Sequence, residues 1–128
     1  MSDARKVYQT IHHGLKTAWP SQLTSRQASY INILAMLVSG IVQSGSVKLD
    51  DIAEEVESRC KVESQTMQFR RWLKNEQIDA QLCYLPFIQQ LLNSLAKQTL
   101  VLIIDGSVCA RGCMTLMVSI VYQGRALP

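Results

Sequence analysis

The apolar run Leu100-Val101-Leu102-Ile103-Ile104 ends on a single carboxylate, Asp105, with Gly106 directly after it. Alternate residues of a strand point to opposite faces, so an unbroken apolar run of this length reads as a strand covered on both sides. An aspartate at the mouth of such a strand is expected to be buried, and a buried carboxylate stays ionised only beside a cation or a metal. Asp105 is therefore the first candidate functional residue. Downstream, Met114, Leu116, Val118, Ile120 and Tyr122 alternate with Thr115, Met117, Ser119 and Val121, which predicts a second strand. The residues from Gly106 to Gly112 connect the two runs, and an antiparallel hairpin is the simple pairing. Gly124 then turns the chain toward Ala126-Leu127-Pro128, the expected opening of a third strand.

The chain upstream of Lys97-Gln98 is patterned for helices. Val7, Ile11 and Leu15 recur every four residues and place a helix over about Asp3 to Lys16, ended by Trp19-Pro20. His12 and His13 are sequence neighbours, about 100° apart on a helix, and cannot chelate one ion together. Thr24 and Gln27 form a capping box for a helix to about Val42 that is apolar round most of its circumference and belongs in the middle of a bundle. Leu49, Ile52, Ala53 and Val56 mark a short third helix. Ser64 is the expected N-cap of a fourth, running to about Lys74 with Phe69, Trp72 and Leu73 inward. Ile78 to Ala96 predicts one more, with Leu82, Leu85, Phe87, Ile88, Leu91, Leu92 and Leu95 as its apolar set. Pro86 is tolerated there if the helix starts near Tyr84 and otherwise kinks it.

Charge is distributed unevenly along these helices. The net charge is only +3, but residues 49–57 carry five acids and no base, whereas 59–74 carry five bases and one acid. On the fourth helix Ser64, Gln65, Gln68, Arg71 and Asn75 read as one polar stripe flanked by Arg70 and Lys74. A short helix, a turn and a second helix with a Gln/Arg/Asn stripe is the pattern of a helix-turn-helix module, here over about 49–75. The chemistry suits DNA: Arg bridges guanine O6 and N7, Gln or Asn pairs with adenine N6 and N7, and flanking cations meet phosphates. Gln65, Gln68 and Arg71 are the candidates for base contacts, and Arg70 and Lys74 for phosphates. A solvated basic face on a bundle produces the same stripe, so both readings stand.

No apolar h-region opens the chain, which makes a reduced, cytoplasmic setting the expectation for the four cysteines, Cys60, Cys83, Cys109 and Cys113. Their spacing completes no four-ligand zinc set, and mostly buried free thiols are expected. Tyr30 to Val42, the most apolar stretch, is interrupted by Asn32, Ser39 and Gly40 and is shorter than the ~20 residues of a membrane span. Neither a glycine-rich phosphate loop nor an internal repeat is present.

The segments LVLIIDGS (Leu100 to Ser107) and CMTLMVSIVYQGRALP (Cys113 to Pro128), preceded by FRRWLKNEQID (Phe69 to Asp79) and YLPFIQQLL (Tyr84 to Leu92), resemble bacterial insertion-sequence transposases of the DDE type. The resemblance implies a mainly α chain with a C-terminal β-hairpin. Residues 1–97 would be a helical domain that binds the terminal repeats of the element. Residues 98–128 would be the first two strands, and the start of a third, of a ribonuclease-H-like α/β catalytic domain. It also implies cut-and-paste transposition with Mg2+ or Mn2+ held by three carboxylates, of which Asp105 matches the first and its only counterpart in this chain. Two-ion phosphoryl transfer needs the other two. The chain by itself is therefore expected not to cut or join DNA and to bind no ion tightly. The expected partners are double-stranded DNA and, among proteins, another copy or a full-length transposase, with no membrane and no small-molecule substrate. Three accounts stay open: the N-terminal part of a truncated or split transposase, a stand-alone DNA-binding regulator of transposition, and a helical interaction domain with a β tail.

Overall fold

Side-chain caps start the first two helices. In the computed structural model, which describes residues 2–19, 21–108 and 112–128, the Ser2 hydroxyl accepts from the Arg5 amide at the head of α1 (Asp3–Ala18). At the head of α2 (Ser25–Ser44) the Thr24 hydroxyl accepts from the Gln27 amide at 3.2 Å, and the Thr24 amide donates to Gln27 Oε1 at 3.0 Å. This is the expected capping box, and it satisfies two donors the first turn would leave free. Gly45 closes α2 with φ +64°, a left-handed cap that glycine adopts without a steric penalty.

Four further helices follow: α3 (Leu49–Glu55), α4 (Val62–Leu73), α5 (Ala80–Cys83) and α6 (Leu85–Leu95). Two expected boundaries are corrected. α4 starts ahead of Ser64, with Lys61 at the N-cap and no side-chain cap bond, because the Gln65 amide already bonds the Lys61 carbonyl at 3.0 Å. The predicted single helix over Ile78 to Ala96 is two helices broken at Tyr84. Pro86 is the second residue of α6, in the first turn, where its missing N–H breaks no helical bond.

The core joins α2, α3 and α4 through Leu37, Ile52, Ala53, Phe69 and Trp72, with Tyr30, Ile33, Leu34 and Val56 packed around it. α1 lies on α2 and buries no residue fully; its Val7, Ile11 and Leu15 stripe is half-buried. Three apolar residues read as inward are exposed: Ile41 and Val42 near the end of α2, and Leu73 at the end of α4. The buried side of α2 instead turns through Ser39 and Gly40, so small residues sit where the sequence suggests interruption. Among the described residues, no single helix is long and apolar enough to cross a membrane.

The chain divides into two compact units, residues 1–90 and 91–128, and the division falls inside α6. The second unit carries a three-stranded antiparallel sheet in the order β1 (Leu102–Val108), β2 (Met114–Tyr122), β3 (Arg125–Leu127). β1 and β2 pair from Leu102↔Ile120 through Asp105↔Met117 to Val108↔Met114, and Tyr122 pairs with Arg125. Gln123 and Gly124, at φ +48° and +75°, form the two-residue turn between β2 and β3, the backbone twist that suits a tight hairpin. The chain is thus mainly helical with a C-terminal antiparallel sheet.

The first strand departs from the expected one. It begins at Leu102, inside the apolar run, and runs on through Asp105 to Val108, because the ladder to β2 continues across Gly106 and Ser107. Asp105 is therefore mid-strand, and every residue of β1 is exposed. The expectation of a buried strand with a buried carboxylate at its mouth is corrected. Side chains directly opposite in an antiparallel pair share a face. One face of the sheet therefore carries Leu102, Ile104, Gly106 and Val108 with Met114, Leu116, Val118, Ile120 and Tyr122. The other carries Ile103, Asp105 and Ser107 with Thr115, Met117, Ser119 and Val121.

Candidate functional site

α4 has a buried side and an open side. Gln65, Thr66, Phe69 and Trp72 are buried, at the three- and four-residue spacings of one helix face. Ser64, Met67, Gln68, Arg70 and Arg71 are exposed, as is Lys74 just beyond the helix. Arg70, Arg71 and Lys74 make no ion pair among the described residues.

Gln65 is the sequence candidate that moves. It is 1% exposed, and its Nε2 donates to Gln68 Oε1 at 2.7 Å. It therefore belongs to the packing that holds α4 and offers no amide edge to a base, whereas Gln68 remains at the surface. Asn75 moves too: half-buried, its Nδ2 donates to the Tyr30 hydroxyl at 3.3 Å. The structure brings Gln68, Arg70, Arg71 and Lys74 together on one accessible surface and leaves Gln65 and Asn75 off it.

Two side-chain clamps fix that surface. The Thr66 hydroxyl donates to the Asp50 carboxylate at 3.0 Å, tying the first half of α4 to α3. At the other end Trp72 Nε1 donates to the Tyr30 carbonyl at 3.1 Å, and the Tyr30 hydroxyl donates to Gln77 Oε1 at 3.2 Å, tying α4 and the chain after it to α2. Neither clamp was anticipated as such. The signal was present for Thr66, which precedes Phe69 by three residues and so shares its face.

A cleft of about 550 Å³ lies between α1, α2 and the segment joining α3 to α4, lined in part by Arg5, Tyr8, Met36, Gln43, Glu57 and Arg59. The Ser2 hydroxyl donates to the Glu57 carboxylate at its rim. Burial pushes the Tyr8 phenol up from its ordinary pKa. His12 stacks on Tyr8 with ring centroids 5.4 Å apart and hydrogen-bonds Asn32 Oδ1 through Nε2 at 2.6 Å, a structural link from α1 to α2.

In the second unit Asp105 stands opposite Met117, with Ile103 and Ser107 as its same-face neighbours on β1. Among the described residues, no group of three His, Cys, Asp or Glu side chains is placed to hold a metal ion. One exposed carboxylate does not fit a two-ion site, so no phosphoryl-transfer step is assigned to these residues. The thiols correct another expectation. Cys60 and Cys113 are exposed and only Cys83 is half-buried, its pKa raised by that burial and then by the Asp79 carboxylate, while Cys109 lies outside the described residues.

Comparisons with family models, with curated proteins and with solved structures find no match to this chain.

Proposed function

We propose that the chain is the N-terminal part of a DDE-type transposase, and that its helical unit binds the terminal-repeat DNA of an insertion sequence through α4. The observation that carries the reading is the outer side of α4. Arg70, Arg71 and Lys74 lie there with Gln68, exposed and without carboxylate partners among the described residues, on a helix whose inner side is locked into the core. A helix with its side chains is about 10–12 Å across and enters the ~12 Å major groove. There Gln68 would pair with an adenine edge and Arg71 with a guanine edge, while Arg70 and Lys74 neutralise phosphates. The α3 and α4 pair would be the helix-turn-helix, although the segment between them, residues 56–61, is longer than the usual three or four residues.

The order β1-β2-β3 with Asp105 on the first strand supports the second half of the reading, the opening strands of a ribonuclease-H-like sheet. Asp105 would be a ligand for Mg2+ or Mn2+ only in a complete enzyme that supplies two more carboxylates.

The test is a gel-shift titration of the chain on terminal-repeat duplexes flanking its own reading frame, against scrambled duplexes, over a salt series. Binding that prefers the terminal repeats and weakens with salt is expected. No binding even at low salt, or equal binding to scrambled DNA, would overturn the proposal.

A further inference from the structure

Met67 occupies the middle of the outer side of α4. A helix turns about 100° per residue, so Met67 projects about 160° away from both Gln65 and Phe69, the two most deeply buried residues of α4. Its side chain is 46% exposed. The residues one turn away on the same side are Glu63 and Ser64 before it and Arg70 and Arg71 after it, with Lys74 one turn further on. None of them is apolar. Val62 and Leu73, the other exposed apolar residues of α4, lie about 140° and about 120° round the helix from Met67 and add nothing to its surface.

Exposure of one apolar side chain is ordinary, but the surroundings of this one are particular. It is ringed by three cations that have no carboxylate partner among the described residues. One side chain falls far short of the ~800 Å² that each partner contributes to a stable protein interface, and the cations around it oppose burial against an apolar protein surface. Its size suits a single methyl group framed by phosphates. In the major groove of DNA that group is the thymine C5-methyl, the apolar feature among the base edges there. Glu63, at the head of α4, is the acid on this side and can meet a base-edge donor such as cytosine N4. Arg71 follows Met67 by four residues, about 6 Å along the helix axis, and one base step is about 3.4 Å. A methyl group met by Met67 therefore lies within about two base steps of a guanine met by Arg71.

Resting on the DNA-binding reading above, we propose that Met67 is a specificity-determining residue of α4, packing its side chain on the 5-methyl of a thymine in the major groove. The polar contacts of Gln68 and Arg71 read hydrogen-bonding edges, and Met67 adds the one distinction they do not make, between a pyrimidine with a methyl group and one without.

Fluorescence anisotropy tests the proposal with the 128-residue chain on the terminal-repeat duplex and on duplexes in which each thymine in turn is replaced by deoxyuridine, which removes the methyl and keeps the base pairing. One such replacement, within about two base steps of the guanine, is expected to weaken binding about fourfold, the worth of one buried methyl group. Met67→Ala should weaken binding to the thymine duplex by at least that factor and abolish the penalty for deoxyuridine. Met67→Leu, which keeps an apolar side chain, should retain most of it. The salt dependence should stay as in the native chain in both variants, because no phosphate contact is removed. Alanine is the best helix former, so the exposed substitution keeps α4 intact. Binding that prefers the terminal repeats but tolerates deoxyuridine at every thymine overturns the role of Met67 and leaves the DNA-binding reading standing. So does a deoxyuridine penalty that persists undiminished in Met67→Ala. Absence of salt-dependent, repeat-preferring binding by the native chain overturns both.

Discussion

Gly40 of α2 packs so closely on Ile52 of α3 that a methyl group added at Gly40 would stand 2.5 Å from Ile52 Cγ2 and 2.9 Å from the Ile52 carbonyl oxygen. The second atom is backbone and cannot rotate away, so the two helices would have to part. Replacing a mid-helix glycine by alanine normally gains about 0.5–1 kcal/mol. Overpacking a core contact costs about 1–3 kcal/mol, so the clash is expected to win here. Gly40→Ala should lower the thermal midpoint of the helical unit, followed by circular dichroism. An unchanged or raised midpoint would show that α2 and α3 do not meet at this distance.

The Trp72 indole joins α4 to α2 across forty-two positions of sequence, by burial and by its bond to the Tyr30 carbonyl. As an interior residue of α2, Tyr30 keeps its helical acceptor role when the indole is lost, so the hydrogen bond alone is worth about 0.5–1.5 kcal/mol. Trp72→Phe should therefore cost little more than that bond plus a small void. Trp72→Ala should cost about 3–5 kcal/mol. Urea denaturation monitored by far-UV circular dichroism separates the two, and equal small effects would place Trp72 outside the core.

Of the local capping signals in the sequence, the box at the head of α2 formed and the Ser64 N-cap did not, because α4 starts ahead of Ser64 with the Gln65 amide already on the Lys61 carbonyl. The Thr24–Gln27 box depends on residues within one helical turn, so nothing distant overrides it. Where a residue was assigned to a face, the outcome depended on which neighbour it was compared with. Gln65 read as polar beside Ser64 and Gln68, but it is four before Phe69 and seven before Trp72, and that shared face buries it. Its polarity is met by Gln68 Oε1 at the surface, a pairing that no spacing rule forces. The apolar run before Asp105 announced a strand correctly, but its burial depended on a covering layer that hydropathy does not supply. Gly106 illustrates the limit from the other side, since a glycine in a strand signals a bulge or a close approach, and here the pairing is regular and only Met114 Sδ stands within 4 Å of an added Cβ.

Cys83 should be the slowest of the described thiols to alkylate. Burial and then the Asp79 carboxylate disfavour its thiolate, so at a given pH less of the reactive form is present than in an unperturbed thiol, and the rate profile moves to higher pH. Cys60 and Cys113 are exposed. Iodoacetamide labelling at pH 8, mapped by peptide mass spectrometry, should modify those two first. Asp79→Asn should speed the reaction of Cys83 by removing the lesser of the two causes. Labelling of Cys83 as fast as Cys60 in the native protein would contradict its placement.

If α4 binds DNA as proposed, its surface offers two kinds of contact that DNA titrations can distinguish. Arg70 and Lys74, read as phosphate partners, should each lower the salt dependence of binding when changed to Ala, by about 0.9 in the slope of log K against log salt, with all sequences weakened alike. Gln68→Ala should instead leave that slope unchanged and lose about 1–3 kcal/mol of preference for the cognate base. Gln65→Leu is the informative control. Its side chain is buried and nearly isosteric with leucine, so the fold should persist and the phosphate-driven slope should stay as in the native chain. Any change it causes should fall on base preference, through the loss of the bond that orients the Gln68 amide. A Gln65→Leu variant that loses salt-dependent binding altogether would mean that α4 has shifted in the core, and the division between its inner and outer sides would have to be redrawn.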